Sequence, residues 1–311
     1  MSGTIDKALL ELKRNGYKAK VVSTTHLPEL RKDIDKFHRQ GLLDKQLSER
    51  YLKFEYNAST ALPDIKSLII IAVPQPITRI RFKWQDKAYN ADIPPTYIRK
   101  IDDEHVKEIL MSVLEPAGYR LERARLPVKT LAVRSGLAQY GRNNITYVSG
   151  IGSFHRLIAF YSDCPCDEDN WQELKVMRAC ETCFKCLENC PTQCITPDRF
   201  LIHAENCLTY LNESENKFHD WVKPDWHNAI IGCMRCQLVC PVDRIQIKKI
   251  VDGPQFSEKE TELILQKTSI EQLPKLTREK IINISGDDWY DVFPRNLSVL
   301  IKSRDFRPRA P

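Results

Sequence analysis

Outside the stretch from Cys164 to Cys240 the sequence contains no cysteine. A disulfide framework in a secreted chain usually spreads its cysteines over the whole fold, so this confinement argues against disulfides and for bound metal. A secretory h-region is also missing, because Met1 to Lys20 alternates charged residues with short apolar groups. The longest apolar run, Leu68 to Val73, is far too short to cross a bilayer. Repeats, low-complexity tracts and long linkers are absent as well. These absences lead us to expect a cytoplasmic chain with no membrane partner.

What is there is ordinary for a globular protein: 311 residues, 42% hydrophobic and 28% charged, enough for one large domain or two smaller ones. The formal net charge is +6 with every cysteine counted as neutral. Eight cluster-bound thiolates would add about −8 and two oxidised cluster cores about +4, leaving about +2. Net charge is therefore weak support for a nucleic-acid partner. Basic residues gather locally at Arg79, Arg81 and Lys83, and again at Arg120, Arg123, Arg125 and Lys129. Solvated faces of a strand and a turn are the expectation for both.

The first half reads as alternating helix and strand. Ile5, Leu9 and Leu12 share a helical face that stops at Asn15-Gly16, and Lys18 to Ser23 is a short strand. A helix runs from near Pro28 to Gln40, with Gly41 beyond its end. The run Leu68 to Val73 predicts a strand buried on both faces. Ile80, Phe82 and Trp84 alternate with Arg79, Arg81 and Lys83 as a half-exposed strand. Val106 to Leu114 forms a helical stripe ending at Gly118, Gly136 to Gly152 reads as a loop, and Phe154 to Tyr161 as a strand. Beyond Ile250 the reading is mainly helical, with Ser257 and Glu260 at capping-box spacing and Pro274 limiting that helix. The fold class is α+β. The expected division is an α/β domain over residues 1–163, a cysteine module over 164–250 and a helical tail over 251–311.

The strongest signal is Cys180-x2-Cys183-x2-Cys186-x3-Cys190-Pro191. Tight spacing lets three thiolates hold three corners of one cubic cluster. A residue before proline is pushed into an extended conformation, so Cys190 can turn toward a second cluster. A second run, Cys233-x2-Cys236-x3-Cys240-Pro241, has the same ending but one cysteine fewer, and Cys207 supplies it. Two [4Fe–4S] sites result: Cys180, Cys183, Cys186 and Cys240 for cluster one, Cys190, Cys207, Cys233 and Cys236 for cluster two. Zinc ribbons also pair C-x2-C motifs, but the doubled C-x3-C-P endings belong to two-cluster ferredoxins. Of the remaining three, Cys194 is expected to be inert packing, and Cys164 and Cys166, read as more exposed, stay unassigned.

Together with this module, Gly136-Leu137-Ala138, Gly141-Arg142-Asn143, Gly152-Ser153-Phe154, Cys207-Leu208-Thr209-Tyr210 and Gly232-Cys233-Met234-Arg235-Cys236-Gln237 resemble the epoxyqueuosine reductase family. The similarity runs from near Leu27 to near Ile301 and is specific between Gly136 and Pro241. That family, related to the reductive dehalogenases, implies a nitroreductase-like domain with cobalamin beside two [4Fe–4S] clusters. It implies a tRNA wobble base as substrate and a ferredoxin or flavodoxin as low-potential electron donor. Counting back from Gly136 puts Glu122 at the family's catalytic aspartate; counting from Pro127 gives Ala124 instead, and the glycine count also aligns Leu131-Ala132. Asn143, Thr146 and Leu157 match corrin-lining positions, and Leu208 and Met234 match positions flanking cluster two. Arg142 stands where the family has lysine and Tyr140 where it has an aliphatic residue. The helical repeats that follow the reductase core in the family have no counterpart in this sequence, which leaves tRNA to the core or the substrate open. The resemblance implies an iron–sulfur reductase; the rival expectations are an electron carrier and a corrinoid-reducing partner protein without substrate chemistry.

Overall fold

The structure, a computed structural model, describes residues 3–98, 100–166, 169–284 and 286–303. The strands among these residues, numbered in chain order, are β1 (Lys18–Ser23), β2 (Ser67–Pro74), β3 (Ile77–Trp84), β4 (Lys87–Ile93), β5 (Leu121–Arg123), β6 (Ala138–Tyr140), β7 (Thr146–Val148), β8 (His155–Ser162) and β9 (Ile250–Phe256). Contacts gather the chain into two units. One holds the chain up to Gln75, Lys100–Phe184 and Pro197–His203; the other holds the segment from Pro76 through β4, Lys185–Thr196 and the chain from Ala204 onward. This differs from three consecutive segments, because the β3–β4 hairpin pairs with β9 and the cysteine run is shared out. Residues 304–311 of the expected tail lie outside the described residues.

The first unit is built on an antiparallel sheet ordered β1-β2-β8-β5. Every residue from Ser67 to Val73 is buried, as the unbroken apolar run requires. Leu68, Ile70 and Ala72 point to one core with Ala159 and Tyr161 of β8. Ile69, Ile71 and Val73 point to the other with Ile158 and Phe160, under helices Thr4–Arg14 and Lys100–Leu114. The latter runs on into a 3-10 turn, Glu115–Ala117, which Gly118 ends in the left-handed conformation, φ 82°. The loop read from Gly136 to Gly152 contains the short hairpin β6–β7.

The second unit centres on the sheet β4-β3-β9, where β3 and β4 are antiparallel and β3 and β9 parallel. Gln85 and Asp86 both have positive φ, the geometry of a two-residue hairpin turn that follows strand twist. Phe82 stacks on Phe256 with centroids 4.8 Å apart, and Ile264, Ile281, Leu297 and Leu300 close the core around them. Helix Glu258–Leu265 starts with the expected capping box, Ser257 accepting from Glu260 N–H. Helices Lys275–Asn283 and Phe293–Lys302 follow. Pro274 caps the first of these rather than ending the helix before it. The region beyond Ile250 is mainly helical as expected, with strand β9 as the one element the reading missed.

The local basic groups are largely paired. Arg79 forks onto Asp92 at 2.9 and 3.1 Å, and Arg81 donates to Asn90. Arg120 bonds Asp163, Arg123 bonds Asp103 and Arg125 reaches Glu55. Neither gathering is a free cationic patch.

Candidate functional site

Cluster-two cysteines all belong to the second unit, and short turns present them. Cys190 follows helix Lys185–Glu188, Cys207 caps helix Leu208–Glu213 with extended backbone, and Cys236 lies on helix Arg235–Leu238. Cys240 is extended at φ −74°, ψ 122°, as the following proline dictates. The turn before Cys233 depends on Gly232, at φ 68°: a Cβ there would lie 2.6 Å from the Tyr97 hydroxyl oxygen. Asn212 Nδ2 donates to the Gly232 carbonyl at 2.7 Å, and buried Asn296 donates to the carbonyls of Asn212 and Ile230. Tyr97 hydrogen-bonds Glu213 beneath the same turn.

Hydrogen bonds from Cys194 and Thr192 hold the Cys190 thiol down to about 5, favouring the thiolate that iron needs. Cys194 likewise lowers Cys207, aided by Thr209, while burial and the Cys207 charge push Cys233 up to about 12. Cys194 is buried as expected, yet its sulfur lies 3.5 Å from that of Cys190. The adjoining Cys190 and Cys207 sulfurs push its own thiol up, so it keeps its proton. The donor set, all thiols within one unit, fits a thiolate-held cluster.

Of the cluster-one cysteines, Cys180 and Cys183 lie in the first unit, while Cys186 and Cys240 belong to the second. Arg142 tethers the first pair: its Nε donates to the Cys183 carbonyl at 3.2 Å, its Nη2 to the Cys180 carbonyl, and its guanidinium sits 4.4 Å from the Phe184 ring centroid. Sequence reasoning noted Arg142 only as a replacement for lysine; it gave no sign of this contact. Cys164 is buried in the core beside Ile158 and Phe160, contrary to the exposure expected, and Cys166 packs partly against that core.

The glycine–asparagine loop is folded on itself. Gly141 is required, since a Cβ would lie 2.4 Å from the Tyr147 ring. Asn143 is buried, donates to the Tyr147 hydroxyl at 3.0 Å and accepts from Ile145 N–H. Buried Thr146 donates to His155 Nε2 at 3.0 Å, because His155 Nδ1–H is committed to the Gly152 carbonyl at 3.1 Å. Burial pushes His155 down to about 4, so it is neutral. Both corrin-lining candidates thus use their polar atoms inside the protein. Asn144, at φ 57°, instead holds a buried Nδ2 with no hydrogen-bond partner. That donor would suit a group that carries amide carbonyls, as the side chains of a cobalamin do, and Asn143 and Thr146 shape the same loop.

Glu122 lies on β5 opposite Tyr161 of β8. Leu157 is on the same face four residues along β8, about 13 Å away at strand spacing, and packs partly against the core there. Both Glu122 oxygens are held by Ser59, one by its N–H at 2.9 Å and the other by its hydroxyl at 2.5 Å. The carboxylate lines a cavity of about 580 Å³ with Arg31, His38, Phe54, Tyr56 and Ser59. The Tyr56 hydroxyl in this wall is buried without a partner, and burial pushes it up to about 12. Of the flanking residues in the second unit, Leu208 is buried among Leu211, Val222 and Cys233, and Met234 is buried at the start of the Cys236 helix.

Residues 179–243 match the 4Fe-4S double cluster binding domain. An epoxyqueuosine reductase from Xanthomonas campestris is 31% identical over 157 residues, 49% of this chain and 42% of the relative, so the match spans less than half of that relative's length. A solved epoxyqueuosine reductase bound to an epoxyqueuosine-modified tRNA-Tyr stem loop superposes with TM-score 0.67 at 18% identity, over 96% of this chain and 81% of the other. The Bacillus subtilis epoxyqueuosine reductase, in a form whose aspartate-bearing catalytic loop is swung out of the active site, superposes at 0.62 and 17% identity over 96% and 81%. No helix among the described residues is long and apolar enough to cross a membrane. The chain is therefore similar to the epoxyqueuosine reductases over part of their length, shares their fold, and carries a region that matches the 4Fe-4S double cluster binding domain.

Proposed function

We propose that the protein is a cytoplasmic iron–sulfur reductase of the epoxyqueuosine reductase type, working with a corrinoid. The observation that carries this reading is the join of a double-cluster domain to a fold shared with a solved reductase over 81% of that chain, when a two-cluster carrier needs only the cysteine module. When bound, the clusters supply single electrons and cobalamin supplies low-potential reduction of the substrate. The chain's part is to bind and position them and to manage a proton. Cys180, Cys183, Cys186 and Cys240 hold cluster one, and Cys190, Cys207, Cys233 and Cys236 cluster two. Asn144 offers its free amide donor to the corrin, with Asn143, Thr146, Leu157, Leu208 and Met234 as lining. Glu122 is the proton donor, held by Ser59 at the cavity wall. An acid on a catalytic element is what the Bacillus subtilis relative carries as an aspartate.

A low-potential ferredoxin or flavodoxin is the proposed electron source, and epoxyqueuosine in tRNA the proposed substrate, since one relative is seen with such a stem loop. The paired arginines put recognition on shape rather than on a broad cationic face. The test is anaerobic reconstitution of the full chain with iron and sulfide, then with cobalamin. About eight irons, a visible corrin spectrum that co-elutes with the protein, and reduction of epoxyqueuosine-containing tRNA are expected. Eight irons without corrin binding would make the protein an electron carrier.

A further inference from the structure

Four sulfurs complete a cluster, and in the second unit Cys190, Cys207, Cys233 and Cys236 already number four. Cys194 is a fifth sulfur in the same place. Its position follows from a tight turn: Gln193 adopts φ 54°, rare for a side chain of that size, and its N–H returns to the Cys190 carbonyl at 3.2 Å. The turn folds Cys194 back onto the residue that precedes Pro191. Its sulfur reaches that of Cys190 at 3.5 Å. The side chain is only 2% exposed, so water does not compete for this contact. Thr192 places a hydroxyl 3.6 Å from the Cys190 sulfur as well.

We propose that Cys194 is an S–H donor to the Cys190 ligand sulfur of cluster two, not itself a ligand, and that it makes this cluster easier to reduce. The proposal rests on the cluster-two ligation given above. Reduction adds one negative charge, spread over the iron-bound sulfurs. A donor fixed on one of those sulfurs stabilises the reduced form more than the oxidised one, which raises the potential. Cys194 thereby favours electron entry into cluster two without contributing a bond to iron. Burial matters, because a donor exposed to solvent would be replaced by water when removed.

The test is potentiometric titration of the reconstituted full chain, followed by EPR, for wild type, Cys194→Ala and Cys194→Ser. All three should hold about eight irons. At the poise where wild-type cluster two is half reduced, Cys194→Ala should show a reduced-to-oxidised ratio about five- to tenfold lower, the worth of one hydrogen bond. Cys194→Ser keeps a donor and should recover part of that ratio. Loss of about four irons in Cys194→Ala would make Cys194 a ligand and overturn the proposal. Full iron with an unchanged ratio would overturn it as well, leaving packing. A wild type that takes up no iron would instead refute the ligation beneath it.

Discussion

Arg142 donates its Nε–H to the carbonyl oxygen of Cys183 at 3.2 Å, so a residue of the glycine loop holds the backbone of a cysteine turn. The fork of the guanidinium also reaches the Cys180 carbonyl while its face covers Phe184. Lysine could make one of these bonds but has neither the fork nor the flat face. Arg142→Ala should therefore destabilise the protein by about 1–3 kcal/mol and speed loss of cluster one in air, with Arg142→Lys intermediate. Thermal melts and iron assays after timed exposure check this. Equal cluster lifetimes in all three proteins would show that the contact is idle.

The crossed ligation makes two cysteines informative. Cys240 stands next to Cys236 in the chain, yet Cys240→Ala should remove the cluster held by Cys180, Cys183 and Cys186. Cys207→Ala should remove the other. Each variant is expected to retain about four irons, with different remaining EPR signals. Identical residual spectra would contradict the crossing.

The strongest sequence signals were those set by local chemistry. The unbroken run Leu68 to Val73 has no polar residue to face water, and it is buried throughout. Ser257 and Glu260 form the box that their spacing encodes. Strand β9 leaves no apolar alternation to read, because Asp252, Gly253 and Pro254 interrupt it. It stands at a sheet edge, where proline is tolerated, and Gly253 lets the backbone approach Thr78 and Ile80, whose methyls would lie 2.8 and 2.9 Å from a Cβ. Hairpin β6–β7 has strands of three residues, too short to show alternation. At the site, cysteine spacing pointed to the clusters. The turn that brings Cys194 to Cys190, and the reach of Arg142, depend on three-dimensional closure and leave no periodic trace.

Glu122 is tested by an isosteric change. Glu122→Gln keeps length and a hydrogen-bonding head for Ser59, so iron content and folding should match wild type. Turnover on epoxyqueuosine-containing tRNA should fall by about a hundredfold or more, the usual share of a positioned acid. Ser59→Ala frees the carboxylate and should cost less. Unchanged turnover in Glu122→Gln would remove it from the chemistry.

Asn296 is fully buried and its amide donates to Asn212 and Ile230 carbonyls, while Asn212 in turn supports Gly232 beside Cys233. Asn296→Leu is close in volume but leaves two carbonyls without this donor. The expected cost is about 2–4 kcal/mol, with cluster two, not cluster one, becoming the more labile. Denaturant midpoints and the order in which EPR signals disappear decide it.

His155 carries the clearest pH dependence. Burial holds its folded-state value down to about 4 from 6.5, and the Gly152 carbonyl, which favours the protonated ring, opposes this only weakly. Above pH 6.5 the imidazole is neutral in both folded and unfolded chains, so its neutral burial carries no proton penalty. As pH falls below 6.5 the unfolded chain takes up a proton that the folded one refuses, and stability declines. The loss grows until pH reaches about 4, where it amounts to about 3 kcal/mol. His155→Gln keeps a side chain able to meet Thr146 but does not titrate. The stability advantage of wild type over His155→Gln should therefore shrink by about that amount between pH 7 and pH 4. Urea midpoints of both proteins across this range measure it, and because clusters are lost from both alike, the difference isolates the histidine. A constant difference from pH 7 to pH 4 would mean that His155 is not held neutral in the fold.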